Sequence, residues 1–427
     1  MSKMAGIAKQ RPHGSGAAEG ELYRSDTLLV RAVPGEDRTG WIVSFDHFHN
    51  QPGFTAQGFG EAFLRDQGLS AIHVLCCDNS WYQYPDTLRA CAVIRRALIG
   101  AERIIAYGSS MGAYAAIRLG SAIGATATLA LSPQYSIDPS KAPWEWRWNQ
   151  YRDAIARTGW RDEVDGPIAS EIKPYVAFDP TDIDLHHVER IERDIGIRRI
   201  PVPYSGHPAT GYLGEVDLLR PLLRAVYDGA DACALMRSER GRRRTSSFYL
   251  GTLAGKQPPC RLDTAIRLAE RASSLRPAGP IGHHSLAKLL MRAGRHAEAV
   301  AIHRRIAEMT DRAAMYLPDY ADALAATGDL EGAVAIATET AAKFPGAAHI
   351  HHWHAHFLWR VGDYPAALAA ARRAVELDPS EVYREGLDGY ERALAQPAGE
   401  PSARLKRLFR SASASLVRRF RLGGDNG

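Results

Sequence analysis

Three side-chain types that together make a nucleophilic relay occur in this chain in the order Ser110, an aspartate among Asp179, Asp182 and Asp184, and His207. A serine hydroxyl is a weak nucleophile near neutral pH. It gains strength when an imidazole takes its proton and a carboxylate holds that imidazole in one tautomer, so this set points to acyl-transfer chemistry. Ser110 sits in Gly108-Ser109-Ser110-Met111-Gly112, directly after the apolar run Arg103-Ile104-Ile105-Ala106-Tyr107 and directly before the helix-like run Ala113 to Leu119. Between a strand and a helix, Gly-x-Ser-x-Gly is a nucleophile elbow. The glycines let the two elements approach, and the serine takes a strained backbone that stands its hydroxyl above the sheet. In a chain with 38 glycines the letters recur by chance, so the flanking elements give the pattern its meaning.

The elements that must position the other two residues follow in order. Ala127 to Ser132, Pro174 to Phe178 and Arg199 to Pro203 are apolar runs of strand length, and Asp179-Pro180-Thr181-Asp182 and Tyr204-Ser205-Gly206-His207 lie just past the last two. Serine, aspartate and histidine, each beyond a strand end, resemble the α/β-hydrolase superfamily over roughly residues 25 to 228. The resemblance implies a mostly parallel sheet with helices on both faces. It also implies an attack by Ser110, proton transfer through His207 and a carboxylate behind His207. In the superfamily that acid usually stands three residues after a glycine closing its strand. With Asp179 in the glycine's place, Asp182 is the expected acid; Asp179 and Asp184 are the alternatives, and a turn or helix cap is the competing role for all three.

An acyl-transfer site also needs amide donors for the oxyanion. Met111, after the nucleophile, is expected to supply one. The second is expected from the loop after Trp41-Ile42-Val43-Ser44-Phe45, where the superfamily typically carries His-Gly. Here the loop reads Asp46-His47-Phe48-His49-Asn50-Gln51-Pro52-Gly53, and Phe45, Asp46 or His47 is in place to donate, with Asp46 the expected one. Between the strands ending at Ser132 and starting at Pro174 lies an aromatic-rich insertion, a cap over about 138–172 by the same resemblance. Trp144 in this cap and Trp81 beyond another strand end are expected to line a substrate pocket, against the plainer reading that these rings form the cap's own core. His47 with His49, and the His186-His187 pair, lack a cluster of further ligands at metal spacing, so neither a metal nor another cofactor is expected.

The second half repeats. Gly294, Gly328 and Gly362 stand 34 residues apart, as do Ala265, Ala299, Ala333 and Ala367, and also Ala287, Ala321 and Ala355. Small residues at fixed positions let helix pairs pack closely, while glycine and proline mark the turns. This period resembles the tetratricopeptide repeat, an all-α solenoid that implies docking of a protein partner. The run Met236 to Ser247 reads as a hydrophilic linker. The organisation expected is therefore a disordered N-terminus over 1–24, a hydrolase domain over 25–228, a linker over 229–257, repeats over 258–398 and a basic amphipathic tail over 399–427.

Composition narrows the function classes. A net charge of +5 with 24% charged residues describes a globular protein whose basic residues do not coat one face, so nucleic acid is not the expected partner. Five cysteines, with Cys76 and Cys77 adjacent and the others scattered, form no disulfide framework. Neither a signal-peptide-like stretch nor a run of transmembrane length is seen, which points to the cytoplasm. The tail, with cations and no acids from Arg404 to Leu422, suits either an anionic membrane surface or capping of the solenoid. The function expected is a serine hydrolase or acyltransferase acting on an ester or thioester through acyl-Ser110. The alternative is an inactive hydrolase-fold scaffold whose repeats carry the interactions.

Overall fold

The structure, a computed structural model, describes residues 19–49, 53–313 and 315–395 and divides into two compact units after Arg242. The first unit is built on one sheet of β1 (Gly20–Arg24), β2 (Leu28–Val33), β3 (Asp37–Phe45), β4 (Leu69–Cys76), β5 (Arg103–Ser109), β6 (Ala127–Leu131), β7 (Tyr175–Phe178) and β8 (Arg198–Pro201). The strand order is β1-β2-β4-β3-β5-β6-β7-β8. The pairings β1–β2 and β2–β4 are antiparallel and all others parallel. A parallel strand covered on both faces is apolar along its whole length, which is why Trp41 to Val43, Ile104 to Tyr107 and Leu129 to Leu131 are unbroken apolar runs and buried. The connecting helices are α1 (Glu61–Asp66), α2 (Thr87–Ala97), α3 (Met111–Ile123), α4 (Asn149–Thr158), α5 (Asp162–Asp165), α6 (Asp184–Asp194), α7 (Thr210–Glu215), α8 (Leu219–Tyr227) and α9 (Ala232–Ser238).

This order positions the site. From β3 the chain crosses to β4 on one side, and from β5 it crosses to β6 on the other. The loops leaving β3 and β5 therefore diverge at the carboxyl edge of the sheet, and the crevice between them is where open α/β sheets hold their ligands. Ser110 follows β5 and Asp46 follows β3 at that crevice.

Two boundaries differ from expectation. Residues 20–24 form the edge strand β1, not part of a disordered terminus, and Tyr23 donates from its hydroxyl to Asp86 at 2.9 Å. The disorder expected for residues 1–18 lies outside the described residues. The expected linker over 229–257 is largely helical: α9, a 3-10 segment over Glu239–Thr245 and α10 (Ser247–Gly255). The arginine-rich run draws attention from Ser246, whose hydroxyl accepts the Tyr249 N–H at 3.0 Å and caps a helix that buries Leu250 and Ala254.

The second unit continues as α11 (Leu262–Leu275), α12 (Pro280–Arg292), α13 (His296–Met309), α14 (Leu317–Ala326), α15 (Leu330–Lys343), α16 (Ala348–Val361), α17 (Tyr364–Leu377) and α18 (Glu381–Ala395), each helix packed on the next. The second helices of successive pairs begin at Leu262, His296, Leu330 and Tyr364, 34 residues apart. Ala265, Ala299, Ala333 and Ala367 are fully buried, as are Ala287, Ala321 and Ala355. Gly294, Gly328 and Gly362 turn the chain with φ of 74°, 90° and 87°, where a side chain would be strained. The unit is a helical-repeat array, and α10 completes the helix pair whose second member is α11. The basic tail expected over 399–427, with its possible membrane contact, lies outside the described residues. Among the described residues no helix is long and apolar enough to cross a membrane.

Candidate active site

The elbow is built sterically. Ser110 has φ 51° and ψ −116°, a conformation that costs a non-glycine residue about 1–3 kcal/mol and persists only where its surroundings impose it. They do. A Cβ on Gly108 would lie 2.2 Å from the carbonyl of Gly112, and one on Gly112 would lie 2.4 Å from the carbonyl oxygen of Phe45. Both glycines are therefore required for β5, α3 and β3 to meet this closely. The Ser110 N–H donates to Leu131 O at 2.9 Å, and its carbonyl accepts the Tyr114 N–H at 3.0 Å, fixing the turn between strand and helix.

From Ser110 a relay runs inward. Ser110 Oγ lies 2.9 Å from His207 Nε2, and His207 Nδ1 lies 2.7 Å from Asp184 Oδ2. An ionised carboxylate can only accept, so His207 carries its proton on Nδ1 and offers the Nε2 lone pair to the serine hydroxyl. Asp184 is fully buried at the start of α6, and its second oxygen accepts from Arg147 Nη1 at 2.9 Å. Burial pushes the Asp184 carboxyl up, but its pairing with His207 and the charge of Arg147 outweigh it and hold the group well below the usual carboxylate range. Arg147 in turn grips Glu145, with Nη2 to Oε2 at 2.6 Å, and burial of Glu145 is likewise outweighed by Arg147 and His187, leaving it at about 2. His187 Nδ1 accepts the Tyr135 N–H at 3.1 Å, so its proton is on Nε2, directed to Glu145 at 2.8 Å. A chain of buried, mutually paired charges thus keeps Asp184 ionised behind His207.

Asp182, the expected acid, does not face His207. The chain turns after β7, with Asp182 N–H to Asp179 O at 3.2 Å and Leu185 N–H to Asp182 O at 3.2 Å, and this turn brings Asp184 to the imidazole. Asp182 Oδ1 instead accepts the Ile183 N–H at 2.7 Å and lies 3.6 Å from Arg147. Asp179 is buried as a brace: Oδ1 accepts from the Thr181 N–H at 2.8 Å and the Tyr204 N–H at 3.0 Å, and Oδ2 from the Gly206 N–H at 2.9 Å. It fastens the loop that carries His207.

Asp46 is not an available oxyanion donor. Its N–H extends the β3–β4 pairing to Val74 O at 3.0 Å, and the His47 N–H donates to the Asp46 carboxylate at 3.2 Å. Met111 does begin α3, where the first amides of a helix have no carbonyl partner inside it. The residue that sequence reasoning missed is Gln134, 1% exposed, whose Nε2 lies 3.0 Å from Ser110 Oγ and 3.4 Å from His207 Nε2. Its residue type carries no local signal, and its place, just after the strand that pairs with the one leading into Ser110 and at the carboxyl edge where ligands gather, shows only once β5 and β6 lie side by side. Glu145 and Arg147 were also passed over, hidden between the tryptophans of the cap.

Of the expected pocket residues, Trp81 is buried with its ring 5.3 Å from that of Trp148. Trp148, not Trp144, faces the imidazole, at 6.2 Å from His207, with Phe48 at 5.0 Å on it. Trp144 packs against His186 and His187 at 5.8 and 5.7 Å. His187 is therefore an interior residue, fully buried.

No protein-family model matches the chain, and no curated protein matches it. Among solved structures it is similar to residues 41 to the end of MamA from Desulfovibrio magneticus RS-1, at 15% identity over 40% of this chain and 94% of that one, with a TM-score of 0.30. A thermophilic TPR protein of Thermus thermophilus is 18% identical over 43% of this chain and 100% of that one, TM-score 0.32. The Sgt2 TPR domain from Aspergillus fumigatus is 17% identical over 29% and 91%, TM-score 0.25. All three scores fall below 0.5, and the repeat is established by this chain's own helix pairs.

Proposed function

We propose that the first unit is a serine hydrolase or acyltransferase of α/β-hydrolase type that acts on an ester or thioester through an acyl-Ser110 intermediate. The observation that carries this reading is the continuous relay Ser110–His207–Asp184, on a strained elbow at the carboxyl edge of the sheet. Ser110 Oγ attacks the carbonyl carbon while His207 Nε2 takes its proton. The carbonyl electron pair moves onto oxygen, facing the Met111 amide. Collapse expels the leaving group, which receives the proton from His207. Water or another acceptor then repeats the sequence on the acyl-enzyme. Asp184 holds the tautomer and balances the imidazolium charge, and Arg147 keeps Asp184 a carboxylate throughout. In the second unit we read the 34-residue helix pairs as tetratricopeptide repeats that dock a protein partner.

Turnover of an activated acetyl ester tests the enzymatic reading. Wild type should turn it over and Ser110→Ala should not, with both proteins equally folded by circular dichroism. Equal rates would overturn the reading and leave the first unit a scaffold.

A further inference from the structure

We propose that the side-chain amide of Gln134 is a catalytic donor in this site, stabilising negative charge first on Ser110 Oγ and then on the substrate's oxyanion. This rests on the reading of Ser110 as nucleophile. Gln134 leaves the sheet just after β6, and that exit is pinned on both sides: the Ser132 N–H donates to Ala177 O at 2.7 Å, and the Ser132 hydroxyl accepts the Ala209 N–H at 3.0 Å, two residues past His207. Gln134 is thereby fixed to the same segment as the imidazole.

The orientation of the amide follows from the tautomer. With the His207 proton on Nδ1 toward Asp184, His207 Nε2 presents a lone pair, which repels a carbonyl oxygen and attracts an N–H. The Gln134 nitrogen therefore faces it, 3.4 Å away, and donates to Ser110 Oγ at 3.0 Å. Oγ gives its own proton to His207 and accepts one from Gln134, so an alkoxide forming there meets a donor already in place. When the Oγ–carbon bond forms and the carbonyl pair moves onto oxygen, Oγ loses a lone pair, and the new oxyanion on the adjacent carbon is within reach of the same N–H.

Two further observations single Gln134 out. Three amides of the loop after β3 are occupied elsewhere: Asp46 N–H on Val74 O, His47 N–H on the Asp46 carboxylate and His49 N–H on Asn79 Oδ1 at 3.1 Å. And Gln134 Oε1 is buried with no hydrogen-bond partner. A glutamine kept for folding would have both ends satisfied, and an apolar residue of its size would avoid the desolvation penalty. Its polar contacts are with Ser110 and His207.

The experiment compares wild type, Gln134→Met and Gln134→Glu. Four quantities are read: kcat and KM on the activated ester, the rate of Ser110 labelling by a fluorophosphonate, the affinity for a trifluoromethyl ketone that forms a tetrahedral oxyanion adduct, and the melting temperature. Removing the donor should lower kcat, labelling rate and ketone affinity together by about 10²- to 10³-fold. KM should hold, and the melting temperature should hold or rise. Gln134→Glu, close to isosteric, should also move the acid limb of the pH–rate profile upward, because a carboxylate beside His207 Nε2 favours the imidazolium. Wild-type labelling and ketone affinity in Gln134→Met would overturn the proposal. If that variant fails to fold, an unshifted profile in Gln134→Glu overturns it instead. A wild type that neither labels nor turns over ester defeats the reading of Ser110 itself and this proposal with it, whereas a labelled wild type with an unimpaired Gln134→Met defeats this proposal alone.

Discussion

Among its described residues the first unit holds a second hydrogen-bonded serine–histidine pair beside that of Ser110 and His207. Ser44 Oγ lies 2.6 Å from His73 Nδ1, closer than Ser110 to His207 at 2.9 Å. The two sites differ in everything around that contact. Ser44 and His73 stand within neighbouring strands β3 and β4, both fully buried, and a Cβ on Gly58 would meet the His73 ring at 2.3 Å, so the imidazole is walled in. Burial drives the His73 pKa down to about 4 against the pull of Glu61, and its Nε2 has no partner. Glu61 is taken up by Arg31 at 2.5 Å, Arg65 at 3.1 Å and the Gly58 N–H at 2.9 Å. Ser110 stands past a strand end on a strained turn, and its histidine is backed by an ionised carboxylate. The pairing of types is common to both sites; place in the sheet and the second imidazole contact separate the site proposed for chemistry from one that packs.

The widest separation should come from the histidines. His207→Ala should reduce ester turnover by about 10⁶-fold, since nucleophile and base act as a unit, while melting stays close to wild type. His73→Ala should leave turnover near wild type and lower stability by roughly 2–4 kcal/mol, as a cavity opens beside a stranded hydroxyl. A turnover loss in His73→Ala matching that of His207→Ala would break the contrast. Next come the carboxylates: Asp184→Asn should lower kcat on the order of 10⁴-fold by upsetting the His207 tautomer, and Asp182→Asn should leave kcat largely intact. Steady-state rates on one ester decide it.

Gly112→Ala addresses the elbow. With its Cβ 2.4 Å from Phe45 O, the variant should lose about 1–3 kcal/mol in urea unfolding, along with most of its activity. The smallest effect concerns protons. The His73 pKa lies below its unfolded value of 6.5, so the stability gained from burying it neutral is fully present above about pH 6.5 and is lost as pH falls toward about 4. His73→Gln should flatten that part of the urea midpoint against pH. An unchanged slope would show that His73 does not carry the dependence.

How far all this was legible in the sequence depends on the range of the interaction. The elbow and the strands around it are local, written in Gly108, Gly112 and the apolar runs. The 34-residue period repeats short-range packing, so buried Ala299, Ala333 and Ala367 announce themselves. The acid was misplaced because a two-residue difference in a turn is decided by where His207 arrives from beyond β8, a contact spanning 23 residues. Asp46 was lost for the same reason: its amide belongs to Val74 in β4. Gln134 carries no local mark at all and becomes visible only once β5 and β6 lie side by side. The linker reading failed on a local ground, charge masking an N-cap at Ser246.

Fluorophosphonate labelling of wild type, read by intact mass and peptide mapping, bears most directly on the difference between the two serines. One adduct per chain should appear, on the peptide containing Ser110, unaffected by Ser44→Ala and abolished by His207→Ala. An unlabelled wild type, an adduct on Ser44, or labelling that persists without His207 would contradict the assignment of Ser110 as the nucleophile.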